Sequence, residues 1–276
     1  MKRLALLLAL TLLLTACGAK KAPETDTAAE LTVHFFDAGK ADAILLTTAN
    51  GAALIDAGEK GFGKTILAYL EERGVEKLDY LIVTHFDKDH VGGAAKVLNN
   101  IAVGTVLQSN SPKDSEEYEK YVKALANAGI EPTTVRETYT FTLDGVTYSV
   151  DPPRQASYDE DGSNNSSLIV TVTNGENRFL FTGDAQTERL SELLDVGGAA
   201  CDVLELPHHG KDEPLLDALL DAAKPTYAVV TSSDEEPESA ATVAALEAAG
   251  VQTLLTREGA VTIRNDGKRI DVSRDP

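Results

Sequence analysis

Cysteine is nearly absent: the 276 residues include two, Cys17 and Cys201. Cys17 falls in an N-terminal targeting segment, so Cys201 stands alone in the folded part. One thiol cannot form an internal disulfide, and the core must come from apolar packing. A hydrophobic content of 43% suffices for one large α/β domain or two small ones. Cys201 lies in the apolar run Cys201-Asp202-Val203-Leu204-Glu205-Leu206 and reads as a buried structural residue rather than a nucleophile. Positive charge is also short: 25 Lys and Arg face 44 Asp and Glu, a formal charge of −19. A surface of that sign repels nucleic acid and anionic membranes at long range. No Lys/Arg cluster with interleaved aromatics offsets it. The acidic runs Asp114–Glu119 and Asp234–Glu238 read as solvated faces and loops. A P-loop, a dinucleotide-binding glycine fingerprint, and any Ser-His-Asp or Cys-His arrangement are missing too. No short internal repeat is visible.

The apolar stretch Leu4–Leu14 is too short to span a bilayer comfortably. With Lys2-Arg3 before it, it reads as a targeting segment. It ends Leu14-Thr15-Ala16-Cys17, which looks like a bacterial lipobox. That resemblance implies a signal peptide over residues 1–16, a diacylglycerol on Cys17, and an exported lipoprotein on the outer face of the cytoplasmic membrane. An ordinary secretory signal and an uncleaved anchor are the rival readings. Removing residues 1–16 takes away Lys2 and Arg3, so the mature chain is more acidic still. Residues 17–30, containing GAKKAPETDTAAE, are polar and without apolar periodicity, and read as a flexible spacer. The folded domain is expected over 31–276.

Imidazoles and carboxylates, by contrast, are concentrated. Thr84-His85-Phe86-Asp87-Lys88-Asp89-His90-Val91-Gly92-Gly93 packs two of each into ten residues and then adds two glycines. It follows Leu78-Asp79-Tyr80-Leu81-Ile82-Val83, a short apolar run that reads as a buried strand. His85, Asp87, Asp89 and His90 then stand at a strand's C-terminal end, where open α/β sheets keep their ligand sites. His and Asp at this density suit a divalent metal such as zinc or manganese. The bland alternative is a solvated polar loop.

The remaining chain alternates strands and helices. Strands are expected at Leu31–Asp37, Ala43–Thr48, Ala52–Asp56, Val103–Leu107, around the Asp144-Gly145 turn, and at Arg178–Phe181, Cys201–Leu206, Tyr227–Thr231, Val251–Leu255, Ala260–Arg264 and Ile270–Val272. Helices are expected at Lys64–Arg73, Ala94–Leu98, Ser115–Asn127, Leu215–Ala223 and Ala240–Ala249. Asp151–Asn165 is a long polar loop of the kind that forms lids or substrate walls. His34, on a strand and outside any motif, reads as structural.

The run from His85 resembles the metal-binding motif of the metallo-β-lactamase superfamily, H-x-H-x-D-H, with Asp87 at the middle His. That version is similar to the hydrolase domain of ComEC-type competence proteins. Further segments follow in the family's order. Asp37-Ala38-Gly39-Lys40-Ala41-Asp42 resembles D-V-G-Q-G-D, with Lys40 and Ala41 as departures. Leu54-Ile55-Asp56-Ala57-Gly58 resembles L-I-D-x-G, and Asn164–Leu168 resembles N-x-x-S-L, including Ser167. Thr182-Gly183-Asp184 matches T-G-D, and Pro207-His208-His209-Gly210 resembles the start of the final H-H-G-S motif, with Lys211 in place of Ser. The resemblance covers roughly residues 31–273. It implies an αββα sandwich, two mixed β-sheets face to face with helices outside and metal ions at one edge.

The resemblance further implies two divalent ions, zinc or manganese. One would sit near His85, Asp87 and Asp184, the other near Asp89, His90, Asp184 and His208. Asp184 would bridge them, although a plain β-turn Asp is the alternative. Asp89 would also orient the attacking water, and His209 would serve substrate or proton transfer. Asp42 and Asp56 would either orient the ligating imidazoles or cap strand-end turns. Many relatives carry a third His near Asn164, and this chain has none. Asn164 would then offer a neutral oxygen or a hydrogen bond to substrate. Two cations lower the pKa of a water between them and clamp the oxygen that becomes negative. Asp87 hardens the first position and tilts the substrate towards a phosphodiester. Acidity argues against nucleic acid and favours a small, lipid or wall-polymer phosphodiester. A carboxyl-ester or lactam hydrolase is one alternative. A non-catalytic surface binding module with a degenerate metal site is another.

Overall fold

Short runs of β-branched and aromatic residues become strands, and segments with apolar residues every three or four positions become helices. The computed structural model describes residues 28–159 and 161–274. The expected signal peptide, Cys17 and most of the spacer lie outside the described residues. The strands are β1 (Leu31–Phe35), β2 (Ile44–Thr47), β3 (Ala52–Ile55), β4 (Lys77–Val83), β5 (Ala102–Gln108), β6 (Thr133–Thr134), β7 (Tyr139–Leu143), β8 (Val146–Asp151), β9 (Ile169–Asn174), β10 (Asn177–Phe181), β11 (Val203–Glu205), β12 (Tyr227–Val230), β13 (Gln252–Leu255), β14 (Val261–Asn265) and β15 (Ile270–Arg274). The helices are α1 (Gly63–Glu72), α2 (Lys88–Val91), α3 (Ala94–Leu98), α4 (Glu116–Ala128), α5 (Thr187–Asp195), α6 (Leu216–Ala223) and α7 (Ala240–Ala249).

Two mixed sheets form, in the order β15-β14-β1-β2-β3-β4-β5-β6 and β13-β12-β11-β10-β9-β8-β7. Their facing sides bury one apolar layer, including Val33, Phe35, Ile82, Val170, Phe181 and Val229. Helices α1, α3 and α4 cover the outside of the first sheet through Ile66, Leu70, Leu98 and Tyr121. Helices α5, α6 and α7 cover the second through Leu190, Leu193, Leu219 and Leu246. Each fully buried Leu or Val contributes about 1.5–3 kcal/mol by leaving water. The layers are therefore helix, sheet, sheet, helix, the αββα sandwich expected from the sequence. No described helix is long and apolar enough to cross a membrane.

Strands β3 to β6 run parallel, and so do β10 to β13. Their C-terminal ends meet at one edge, where the amide of Leu168, just before β9, donates to the Thr84 carbonyl just after β4 at 2.9 Å. Asp42 precedes β2, which is antiparallel to β3, so it reaches the same edge as Asp56. Two elements depart from the sequence reading. Asp89 and His90 lie on the one-turn helix α2, not on an open loop. Helix α5 has no counterpart in that reading, because its N-terminal amides are capped from a distance. Asn165 Oδ1 accepts from Gln186 N at 3.2 Å and Arg189 N at 3.1 Å. Gly92 and Gly93 make close contact with backbone: a Cβ on Gly93 would lie 2.1 Å from the Ala57 carbonyl oxygen, and one on Gly92 2.5 Å from Lys60 N. His34 is buried, stacks on Tyr69 with ring centroids 4.2 Å apart, and bonds Thr262 Oγ1 through Nδ1 at 2.8 Å.

Candidate metal centre

Asp184 is the meeting point of the edge. Strand β10 ends at Phe181, and the turn Thr182-Gly183 presents the Asp184 side chain inward, 3% exposed. Glu205, at the end of β11, holds that turn by accepting Thr182 N at 2.6 Å and Gly183 N at 3.0 Å. Burial, with the charge of Asp42 next, holds the Glu205 carboxyl well above its ordinary range. Asp184 Oδ1 faces His90 Nε2 at 3.2 Å and His209 Nε2 at 3.1 Å. Asp184 Oδ2 faces His85 Nε2 and His208 Nε2, both at 3.8 Å. One carboxylate thus looks at two pairs of imidazoles, one pair per oxygen.

The expected residues are brought together, but the pairing of the last two histidines differs from expectation. His209, not His208, joins Asp89, His90 and Asp184, and each of these four offers a ligand atom within 4.8 Å of the others. His208 falls on the His85 side of Asp184 instead. The physical cause is the backbone after β11. His208 (φ 49), His209 (φ 56) and Gly210 (φ 73) are consecutive left-handed residues, a conformation that costs non-glycine residues free energy and concentrates at functional sites. The strained turn sends adjacent rings to opposite oxygens of one carboxylate. Nothing in the residue pattern announces such a turn.

Three of the four imidazoles, His85, His90 and His209, are held from behind through Nδ1. His90 Nδ1 donates to Asp56 Oδ2 at 2.8 Å. Asp56 also accepts Thr84 N at 2.8 Å and Thr84 Oγ1 at 2.5 Å. His209 Nδ1 lies 3.0 Å from Thr231 Oγ1, which donates to Asp42 Oδ1 at 2.6 Å, so the ring nitrogen is the donor of that pair. His85 Nδ1 stands 3.2 Å from Thr84 Oγ1 and 3.3 Å from Ser167 Oγ. Asp42, Asp56 and Ser167 therefore sit behind the rings, and a donor at Nδ1 leaves the Nε2 lone pair aimed inward.

The inward atoms make the test of fit. His85 Nε2, His90 Nε2, His209 Nε2 and Asp184 Oδ1 are buried and have no hydrogen bond of acceptable geometry. Orphaned polar atoms of this kind are costly unless another group satisfies them. Imidazole nitrogens and carboxylate oxygens converging without partners fit a divalent cation. The charges agree. Burial opposes ionisation of His209, but Asp184 and Asp42 outweigh it and push its pKa up to about 10. Burial likewise opposes the Asp184 charge, yet His209 and His90 hold that carboxyl well below its ordinary range. His85, buried and next to His90, is pushed down to about 4.

A cleft of ≈390 Å³ opens onto this group, lined by Asp87, Asp89, Ser115, Glu117, Asn164, Asp184, His208 and Lys211 together with Lys40, Lys88 and Lys113. Asn164 donates to Gln186 Oε1 at 3.0 Å from its place in the wall. Lys40 Nζ bonds Asp89 Oδ2 at 2.8 Å, and Lys113 Nζ bonds Asp87 Oδ1 at 2.6 Å. Ser163 Oγ also donates to Asp87 Oδ1. Lys40, Lys113, Thr231, Ser163 and Glu205 have no part in the sequence reading of the site. Lys40 alone carried a signal, as a departure inside a motif. The others come from loops or strand ends whose spacing says nothing of what they meet.

This fold and this donor group define a class. The chain belongs to the metallo-β-lactamase superfamily, whose model matches residues 37–232. Similar proteins include ComE operon protein 3 of Bacillus subtilis, 26% identical over 170 residues, which are 61% of this chain and 22% of that protein. Competence protein ComA of Neisseria gonorrhoeae is 29% identical over 214 residues, 76% of this chain and 28% of that one. The chain thus spans 22–28% of the length of these relatives. Among solved structures, the metallo-β-lactamase fold protein YhfI from Bacillus subtilis aligns with TM-score 0.57 at 10% identity, covering 89% of this chain and 100% of that one. CmlA, a diiron β-hydroxylase from Streptomyces venezuelae, aligns with TM-score 0.55 at 16% identity, covering 86% and 54%. At these identities the likeness is one of fold.

Proposed function

We propose that the chain is a metal-dependent hydrolase of phosphodiesters, held by a lipid on Cys17 at the outer face of the cytoplasmic membrane. The observation that carries the catalytic reading is Asp184, with each carboxylate oxygen facing its own pair of imidazoles. Asp89, His90, Asp184 and His209 would hold one divalent ion, and His85, Asp87, Asp184 and His208 a second. His208 then supplies the imidazole that is lacking near Asn164. Zinc or manganese held there would lower the pKa of a water and polarise the phosphoryl oxygen.

The chain's own residues do the rest. Asp56 and the Thr231–Asp42 pair fix the tautomers of His90 and His209. Asp89, at the cleft wall, accepts a hydrogen from the attacking water and orients it. Lys211 and Asn164, which line the same cleft, would hold the substrate. The cleft lining sets four lysines against Asp87, Asp89, Glu117 and Asp184 and carries no Phe, Tyr or Trp, which suits a charged ester better than an apolar lactam. Nucleic acid belongs to the phosphodiester class, and the names of the relatives point to competence. The charge of −19 opposes it, so a small, lipid-linked or wall-polymer phosphodiester fits better.

The test is a substrate screen of the purified protein with added Mn²⁺ or Zn²⁺. Bis(p-nitrophenyl) phosphate should be cleaved faster than nitrocefin, and Asp89→Ala should lose at least about a hundredfold in rate. Preference for nitrocefin, or full activity after Asp89→Ala, would sink the reading. For the anchor, Cys17→Ser should move the protein from the membrane fraction to the soluble fraction. An unchanged distribution would reject it.

A further inference from the structure

Two lysines occupy the oxygens that metal ions would use. Asp89 faces His209 Nε2 with Oδ2 at 3.7 Å, and that same oxygen holds Lys40 Nζ at 2.8 Å. Asp87 faces His85 Nε2 with Oδ1 at 3.9 Å, and that same oxygen holds Lys113 Nζ at 2.6 Å. The arrangement is paired: one ammonium for each proposed metal position. The two arrive independently, Lys40 from the turn between β1 and β2, Lys113 from the segment between β5 and α4. Lys40 is no surface residue, with its side chain 13% exposed.

An ammonium at hydrogen-bond distance from a carboxylate is a cation already delivered to that oxygen. A metal ion approaching the same oxygen meets like-charge repulsion, weakly screened at Asp89, where Lys40 is 13% exposed, and more strongly screened at Asp87, where Lys113 is 39% exposed. Without metal, the ammonium groups do useful work. Asp42, Asp87, Asp89 and Asp184 crowd one edge, and the two ammonium groups offset the charge of Asp89 and Asp87 there. With metal, each ammonium can leave its oxygen and remain in the cleft that both lysines line.

We propose that Lys40 and Lys113 are built-in competitors of the metal ions, each holding the carboxylate of one position in the metal-free protein and lowering that position's affinity. Occupancy then follows the free metal concentration instead of being permanent. The inference rests on the ligand assignment of the proposed function.

Calorimetric titration of the metal-free full chain with Mn²⁺ tests it, using wild type, Lys40→Met, Lys113→Met and the double variant. Lys40→Met should tighten one binding step by at least about tenfold and Lys113→Met the other by a smaller factor, about threefold. Both variants should melt at lower temperature than wild type without metal. Lys40→Gln and Lys113→Gln remove the charge but keep a polar end, and should tighten binding in the same way. Unchanged or weaker Mn²⁺ affinity in the variants, with wild-type binding intact, overturns the competition alone. A wild-type protein that takes up no Mn²⁺ overturns the ligand assignment and the competition with it.

Discussion

Asp56 sits in the left-handed region at φ 53 and accepts three hydrogen bonds, from the Thr84 amide, the Thr84 hydroxyl and His90 Nδ1. An amide in its place would turn a donor towards one of these donors. Asp56→Asn should therefore weaken metal binding by about 10–100-fold. It should also cost about 1–3 kcal/mol of stability, read from denaturant unfolding beside the metal titration. His209 gives a pH signature. Burial works against its charge, but Asp184 and Asp42 push its pKa up to about 10 in the metal-free protein. The unfolded value is about 6.5, so this stabilisation is full below about pH 6.5 and is lost as pH rises towards 10. Metal requires the neutral ring, so metal-induced stabilisation grows over the same range. Melting temperature without metal should fall between about pH 6.5 and 9.5, while the gain from Mn²⁺ widens. A gain that stays constant would contradict the assignment of His209. Most of these residues were legible as motif members. What each ring does was not, because the pairing depends on two consecutive left-handed residues that leave no mark on spacing.

Helix α5 and the long loop before it form one unit. Arg189, fully buried on α5, donates to the Ser167 carbonyl at 3.0 Å, to Glu192 at 3.1 Å, and to the Asp151 carbonyl and carboxylate at 2.9 Å each. Glu192 in turn accepts from Arg154 N at 3.1 Å and the Tyr158 hydroxyl at 2.9 Å. The loop is thus pinned as a wall, and through Ser167 it reaches the back of His85. Arg189→Met should cost about 3–5 kcal/mol, since it breaks the buried pair with Glu192 and takes a donor from the Ser167 and Asp151 carbonyls. Limited proteolysis should then cut within residues 152–163 while β-sheet circular dichroism persists. Resistance equal to wild type would show that the loop is held by something else. The strands and the longer helices were readable from apolar periodicity, and Ser115 does cap α4, accepting from Tyr118 N at 3.2 Å. Helix α5 was not, because its cap is the distant Asn165 and its buried face includes an arginine.

Across the whole molecule, a strongly acidic chain gathers its catalytic candidates from six segments at one edge of a two-sheet sandwich. The order of motifs made the sandwich and its edge legible from the sequence. The concentration of lysines at the cleft was not, because Lys40, Lys88, Lys113 and Lys211 are scattered along the chain and meet only after folding. Net charge therefore misdescribes the cleft: its four lysines balance Asp87, Asp89, Glu117 and Asp184, and bound divalent ions would turn the lining positive. The central claim is that the group around Asp184 binds divalent metal and hydrolyses a phosphodiester with it. It is tested most directly by stripping the protein with a chelator and following p-nitrophenolate release from bis(p-nitrophenyl) phosphate as Mn²⁺ or Zn²⁺ is returned. Wild type should regain its rate with metal, and Asp184→Ala and His209→Ala should not. A rate that ignores the chelator, or full recovery in Asp184→Ala, would contradict the claim.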